Sequence, residues 1–352
     1  MQVEPTPHVE PAHAASPRSE PPPAKALHPQ KLLVILPALN EEATIATVIG
    51  KIPRSMPGVD AVEVVVVDDG STDATVALAK KAGASVVSHG RNLGVGAALQ
   101  SGLEEALNRG ADVAVNIDAD GQFEPSDIEK LVRAVVEAGA DLASASRFKD
   151  KSLVPTMPRM KYLGNQWMAS IISYLAGQRF ADVSCGFRAY SREALLQLVL
   201  TGRFTYTQET FLVLASKGLR ITEVPIKVRG EREYGKSRVA SNLFRYAYRT
   251  SGIIFACIRD YRPAAVFNPA AFVLFLLGLA VASFFLWHRI TAGRFSPHIW
   301  AGFTAGALMG LALVIFALGQ VAMMLARIRA VQDRQLYLLR KHMQSPPRRP
   351  PP

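Results

Sequence analysis

The sequence predicts an α/β domain built on a mostly parallel sheet, followed by a two-helix transmembrane hairpin. Three observations predict it. Short, uninterrupted apolar runs alternate with helically spaced segments between residues 31 and 146. Three of those runs end in the polar clusters PALNE, DDGSTD and DADGQ. Two later stretches, residues 264–287 and 295–326, carry no charged side chain apart from the titratable His298. Each exceeds the roughly 20 residues that cross a bilayer.

Each element follows from local pattern. Residues 31–36 (KLLVIL) read as a strand ended by Pro37, and Asn40 reads as the N-cap of a helix over 40–52. Residues 62–67 (VEVVVV) are β-branched and lead into DDGSTD, where Gly70 permits a tight turn and Ser71 or Thr72 caps a helix over 72–83. A short strand at 85–88, a helix over 94–110, a strand at 113–117, a helix over 125–138 and a strand at 141–146 complete the alternation. Runs this apolar belong to strands buried on both faces, as in parallel sheets. Beyond residue 150 the pattern is weaker: a helix over 161–175 and strand-like alternation over 219–228. Residues 241–261 mix apolar residues and arginine at helical spacing; a helix on the membrane surface and a core-packed helix both fit.

Residues 1–29 are rich in Pro, Ala and charge without apolar periodicity, and read as a disordered tail. No apolar core follows a basic start, so no signal peptide is expected and the domain should stay cytoplasmic. The expected organisation is therefore tail 1–29, α/β domain 30–240, juxtamembrane helix 241–262, two spans within 263–327 and a basic tail 328–352.

Charge is unevenly placed. Residues 259–352 hold eleven Lys/Arg against two Asp/Glu, so +9 of the total +11 lies beside the apolar spans. That position points to anionic headgroups rather than nucleic acid. The arginines and lysine flanking the outer ends of the hairpin put both termini in the cytoplasm. Two cysteines, Cys185 and Cys257, with no paired spacing speak against a disulfide framework or a thiolate metal site.

The chemistry sits in the clusters. In DADGQ, Asp118 and Asp120 follow a buried strand, and with the amide oxygen of Gln122 they can face one hard cation, Mg²⁺ or Mn²⁺. Asp68 and Asp69 close a second strand, where a carboxylate can accept hydrogen bonds from a base or ribose. Pro37, Leu39, Asn40 and Glu41 close the first. In parallel sheets ligands bind beyond the carboxyl ends of strands, so three clusters at one edge point to a single site. The segment Gly94-Val95-Gly96 only faintly resembles a dinucleotide fingerprint, and the first strand-to-helix turn lacks glycine; it reads as a closely packed helix start. Arg147, Arg232 and Arg238 are candidates for binding phosphate oxygens.

The stretches PALNE, VVDDGSTD, RNLGVGAALQSG, DADGQFEP, SRF, DVSCGFRAY and GEREYGKSR, in this order over roughly residues 31–240, resemble the inverting family 2 glycosyltransferases of GT-A (nucleotide-diphospho-sugar transferase, Rossmann-like) fold. The dolichol- and polyprenyl-phosphate sugar synthases are the nearest likeness. The resemblance implies transfer of a hexosyl group from a nucleotide diphosphate sugar, of GDP-mannose or UDP-glucose type, to polyprenyl phosphate at the bilayer. It implies Mg²⁺ or Mn²⁺ as cofactor, and it is compatible with a homo-oligomer. It assigns Pro37, Leu39, Glu41, Val67, Asp69 and Ala119 to the nucleotide. Asp118, Asp120 and Gln122 fall to the metal and diphosphate, and Arg147, Arg232 and Arg238 to the donor and acceptor phosphates. Arg238 stands where the family commonly has Lys. Lys161 and Asn165 match a further acceptor-phosphate position, where Arg and Ser are usual. Asp182 matches the D-x-x-x-GFR element.

Two other readings stay open. One is a family 2 enzyme with another membrane acceptor, such as a polysaccharide or glycolipid; the processive Q-x-x-R-W string is absent. The other is a membrane-tethered nucleotide-binding protein without catalysis, which the intact DADGQ speaks against.

Overall fold

A computed structural model describes residues 30–200, 206–229, 252 and 263–344. The expected tail 1–29, the juxtamembrane segment 241–262 apart from residue 252, and the GEREYGKSR stretch with Arg232 and Arg238 lie outside the described residues.

The apolar runs become β1 (Lys31–Ala38), β2 (Ala61–Asp68), β3 (Ser85–Ser88), β4 (Val113–Asn116) and β5 (Leu142–Ser146). Two further strands, β6 (Arg188–Ser191) and β7 (Ile221–Pro225), complete a seven-stranded sheet of order β3-β2-β1-β4-β6-β5-β7. All pairings are parallel except those of β6, which runs antiparallel between β4 and β5. The sheet is thus mixed and mostly parallel, as in GT-A domains. β6 gave no apolar run to read, because it is four residues long and opens on an arginine.

Helices cover both faces. α1 (Ile45–Lys51), α2 (Thr75–Lys81) and α4 (Ile128–Val136) pack one side. α3 (Val95–Asn108), α5 (Arg159–Ala176), α6 (Arg192–Gln197) and α7 (Thr207–Ser216) pack the other. Leu32, Val34 and Leu36 point to the first layer, and Leu33 and Ile35 to the second, so β1 is apolar throughout because both of its faces are covered.

The strand ends differ from the simple reading, for physical reasons. Pro37 does not stop β1: it pairs with Val67 of β2, while β4 pairs only as far as Ile35, so the missing N–H faces no ladder there. Asn40 is no N-cap. It takes a left-handed φ of 53° and its Oδ1 accepts from Thr72 N at 2.8 Å, while α1 begins only after Thr44. Nor do Ser71 and Thr72 cap α2; Ser71 Oγ instead accepts from Asn40 N at 3.0 Å. Side chains that look like local caps are used to tie one loop to another.

Beyond the domain, α8 (Ala264–Ala292) and α9 (Ile299–Met343) have mean hydropathies of 2.4 and 2.3 over their most apolar stretches and are long enough to cross a membrane. They pack as a hairpin at small residues. A Cβ on Gly278 would lie 2.7 Å from Met309 Cγ, and one on Gly319 2.7 Å from Phe267 Cβ. The segment expected as a tail from 328 is, up to Met343, the continuation of α9. It docks on the domain: Lys217 Nζ meets Asp333 at 3.1 Å, Arg340 donates to the carbonyls of Leu196 and Leu198, and Gln344 Nε2 reaches Leu107 O at 2.8 Å.

Candidate active site

The three clusters share one rim. β1 lies between β2 and β4, so the ends of all three strands open on the same edge. Backbone bonds Asp69 N to Ala38 O (2.9 Å) and Ile117 N to Ile35 O (3.0 Å) carry the pairing to the rim itself. Side chains then stitch the loops. Glu41 N donates to Thr75 Oγ1 at 2.8 Å, and the buried Thr44 hydroxyl donates to Ala119 O at 2.7 Å. With Asn40 N donating to Ser71 Oγ, the segment after β1 is fixed to the segment after β2 on one side and to DADGQ on the other.

Asp68 and Asp69 are both buried and both occupied. Asp68 accepts from Ser71 N at 2.8 Å and from Ser88 Oγ at 2.7 Å. Burial pushes its carboxyl up, but these hydrogen bonds outweigh that and hold it below the usual carboxylate range. Asp69 accepts from Leu93 N at 2.8 Å and Gly94 N at 2.9 Å, and its Oδ1 lies 2.9 Å from His89 Nδ1. His89 Nε2 is 2.9 Å from Ser101 Oγ on α3. Asp69 thus anchors the 89–94 loop to the rim, whatever else it meets there.

DADGQ presents Asp118 half-buried and Asp120 at 2% exposure, with Asp120 Oδ1 accepting from Gln122 N at 3.0 Å. The donors at this corner are all oxygen. Among the described residues no three or more His, Cys, Asp or Glu side chains form a ready-made cage. A hard divalent ion that keeps positions for phosphate oxygens and water needs only one or two carboxylates, so the donor set fits Mg²⁺ or Mn²⁺.

Behind Asp118 lies a buried polar layer that sequence reasoning missed. Asn116 Nδ2 donates to Tyr206 Oη at 3.1 Å, and Tyr190 Oη donates to Asn116 Oδ1 at 3.4 Å. Burial first, and the nearby Asp118 charge second, push the Tyr206 phenol well above its ordinary value, so it stays a neutral donor. Arg188, fully buried, donates from Nε to Cys185 O at 2.9 Å and lies over the rings of Phe211 and Tyr206. Gly186 completes the fit, because a Cβ there would come within 2.8 Å of Tyr206 Oη and 3.3 Å of Asp118 Oδ2. The sequence signal was GFRAY, whose arginine is too buried to be a surface group.

Arg147, at the end of β5, is held rather than loose. It forms a bidentate pair with Asp182, Nε to Oδ2 at 2.6 Å and Nη2 to Oδ1 at 2.9 Å. Its guanidinium lies 5.0 Å from the Phe148 ring centroid, and that ring meets Tyr162 of α5 edge-on. Asn165, also on α5, accepts from Ser184 Oγ at 3.1 Å; Lys161 is exposed. Pro37, Leu39 and Glu41 line the PALNE corner, Val67 is buried beneath it, and Ala119 is buried in DADGQ.

Residues 33–199 match the Glycosyl transferase family 2 domain. The chain is also 32% identical to the polyprenol monophosphomannose synthase of Mycolicibacterium smegmatis, over 64% of this chain and 87% of that protein. The chain belongs to glycosyl transferase family 2. It is a glycosyltransferase, and its relatives in the family include enzymes that act on polyprenyl phosphates. An uncharacterised protein of Methanocaldococcus jannaschii is 38% identical over 60% of this chain and 86% of its own length. Among solved structures, glucosyl-3-phosphoglycerate synthase from Mycobacterium tuberculosis with Mn²⁺ and UDP-glucose superposes with a TM-score of 0.51 at 27% identity, covering 65% of this chain and 79% of that one. The same enzyme has been solved with Mg²⁺ and UDP. Solved structures of similar fold thus hold a divalent metal together with a uridine nucleotide.

Proposed function

We propose that the chain transfers a hexosyl group from a nucleotide diphosphate sugar to polyprenyl phosphate, with inversion, at a membrane surface. The observation that carries the lipid acceptor is α5. Its exposed residues Met160, Leu163, Trp167 and Tyr174 recur on one helical face, Arg159 and Lys161 flank them, and it has no acidic residue. Such a face suits the headgroup region of an anionic bilayer. The same helix touches the Arg147 assembly through Tyr162 and Asn165. The two apolar helices α8 and α9 anchor the domain, and the basic residues at their outer ends support cytoplasmic termini.

In this reading Pro37, Leu39, Glu41, Val67, Asp69 and Ala119 surround the nucleotide. Asp118, Asp120 and Gln122 hold the cation and diphosphate. A divalent cation bound there neutralises charge on the departing nucleoside diphosphate. Arg147, with Lys161 and Asn165 nearby and Arg232 and Arg238 outside the described residues, receives the acceptor phosphate. A phosphate monoester has a second pKa near 6, so its oxygen is largely ionised and needs no strong general base. It attacks the anomeric carbon from the face opposite the leaving diphosphate; a new phosphate-oxygen to carbon bond forms as the old one breaks. The arginines offset repulsion between the two phosphates and hold the attack in line.

The test is direct. Membranes bearing the protein are incubated with undecaprenyl or dolichyl phosphate, Mn²⁺ and a panel of nucleotide sugars, and lipids are read by mass spectrometry. A polyprenyl-phosphate hexose is expected with at least one donor. Sugar appearing only on a polysaccharide or glycolipid would move the enzyme to another acceptor class.

A further inference from the structure

Arg147 is paired so tightly to Asp182 that the pair calls for its own account. The two members are unequal. The Asp182 side chain is fully buried, while that of Arg147 keeps 16% of its surface exposed. The carboxylate lies beneath and the guanidinium emerges at the rim. Asp182 accepts from Arg147 N, Nε and Nη2, and from Ser184 N and Oγ, at 2.6–3.1 Å. Burial alone would push this carboxyl up, but the Arg147 charge and these hydrogen bonds more than offset it, so it is ionised at neutral pH.

The support runs one step deeper. Glu223, on edge strand β7, takes Ala181 N on Oε2 at 2.9 Å and Asp182 N on Oε1 at 2.8 Å. Its own carbonyl accepts from Lys149 Nζ at 2.6 Å, two residues past Arg147. Both carboxylate oxygens of Glu223 are thus spent on the turn that carries Asp182. Residues 147, 182 and 223 come from three separate parts of the chain and form one line of contact. The Nε–Nη2 edge of the guanidinium is turned to Asp182, and Phe148 lies against it. The guanidinium, held along this edge and still 16% exposed, has its orientation set by Asp182.

We propose that Asp182, itself set by Glu223, is a positioning residue that aims Arg147 at the acceptor phosphate. This rests on the reading of Arg147 as a phosphate ligand. Outer partners of metal ligands change affinity by about 10–100-fold when replaced, without touching the metal, and a phosphate-binding guanidinium held in the same way should respond comparably.

The test uses the full-length protein in detergent or nanodiscs, with undecaprenyl phosphate as one probe. The other is UDP or GDP, whichever the wild type binds more tightly with Mn²⁺. Arg147→Ala, Asp182→Asn, Glu223→Gln and the Arg147→Ala/Asp182→Asn double variant are compared. Asp182→Asn and Glu223→Gln should each weaken undecaprenyl phosphate binding about 10-fold or more and leave nucleotide binding within twofold. The double variant should bind no more weakly than Arg147→Ala alone, because Asp182 acts through that side chain. Losses that add in the double variant, or normal lipid binding in both Asp182→Asn and Glu223→Gln while Arg147→Ala is impaired, would overturn the positioning role and leave the phosphate ligand standing. Normal lipid binding in Arg147→Ala would instead remove the ligand assignment on which the proposal rests. Should Asp182→Asn fail to fold, Glu223→Gln keeps the Asp182 carboxylate and carries the comparison.

Discussion

Asp69 anchors the 89–94 loop and, in the proposed function, also meets the nucleotide, so its replacement should affect both stability and nucleotide binding. Its carboxylate holds Leu93 N and Gly94 N and faces His89. Asp69→Ala strands both N–H groups in a half-buried loop. Each orphaned donor costs about 1–3 kcal/mol, with the lower half of that range fitting partial access to water, so the loss is about 3 kcal/mol. For a domain of this size that lowers the thermal midpoint by about 6–12 °C. Asp69→Asn should lose roughly half as much: its one oxygen serves one N–H, and its NH₂ opposes the other. Both variants should bind nucleoside diphosphate more weakly if the proposed nucleotide site at this rim is right, because Asp69 ties the 89–94 loop to it. The assays are thermal unfolding of purified protein and nucleotide titration. An unchanged midpoint in Asp69→Ala would refute the anchoring argument, since no other residue replaces those two bonds.

Gly186→Ala forces a methyl group against Tyr206 Oη and Asp118 Oδ2, so sugar transfer should drop at least tenfold, measured as initial rate in the lipid-linked assay; full activity would mean that this layer does not set the position of Asp118. Stability should also follow the depressed carboxyls of Asp68 and Asp182. A carboxyl lowered in the folded state adds stability that is complete above its unfolded value near 3.9 and is lost as pH falls through the folded value. The thermal midpoint should therefore be flat with respect to these groups from pH 7 to about 5 and fall steeply below about 4. A steep fall between pH 7 and 5 would point to other groups.

The fold was legible where burial writes itself into composition. β1, β2 and β4 are apolar because helices cover both sheet faces, and α8 and the first part of α9 are apolar over stretches long enough to cross a membrane. β6 was not legible. It has four residues, and Arg188 at its head is a buried cation held by carbonyls of the loop before it and by rings that include one from α7. The caps misread at Asn40 and Ser71 fail for a related reason: a side chain that could bond its own backbone bonds a loop some thirty residues away instead. At the site, the acidic clusters announced themselves by standing at strand ends. Asp182 was marked only by the D-x-x-x-GFR element, without a role, and Glu223 not at all, because their meaning depends on contacts with residues 147 and 181–182 that only the sheet order creates. The C-terminal part of α9 carried enough charge to resemble a tail, yet Asp333 and Arg340 are among the contacts by which it docks.

The central claim is that Asp118 and Asp120 hold a divalent ion jointly with a nucleoside diphosphate at the rim shared by β1, β2 and β4. Calorimetric titration of UDP and GDP, each with and without Mn²⁺, tests it in the wild type and in Asp120→Ala. The account predicts that Mn²⁺ tightens binding of one nucleotide strongly in the wild type and that this gain vanishes in Asp120→Ala while the fold persists. An equal gain from Mn²⁺ in both proteins would contradict it.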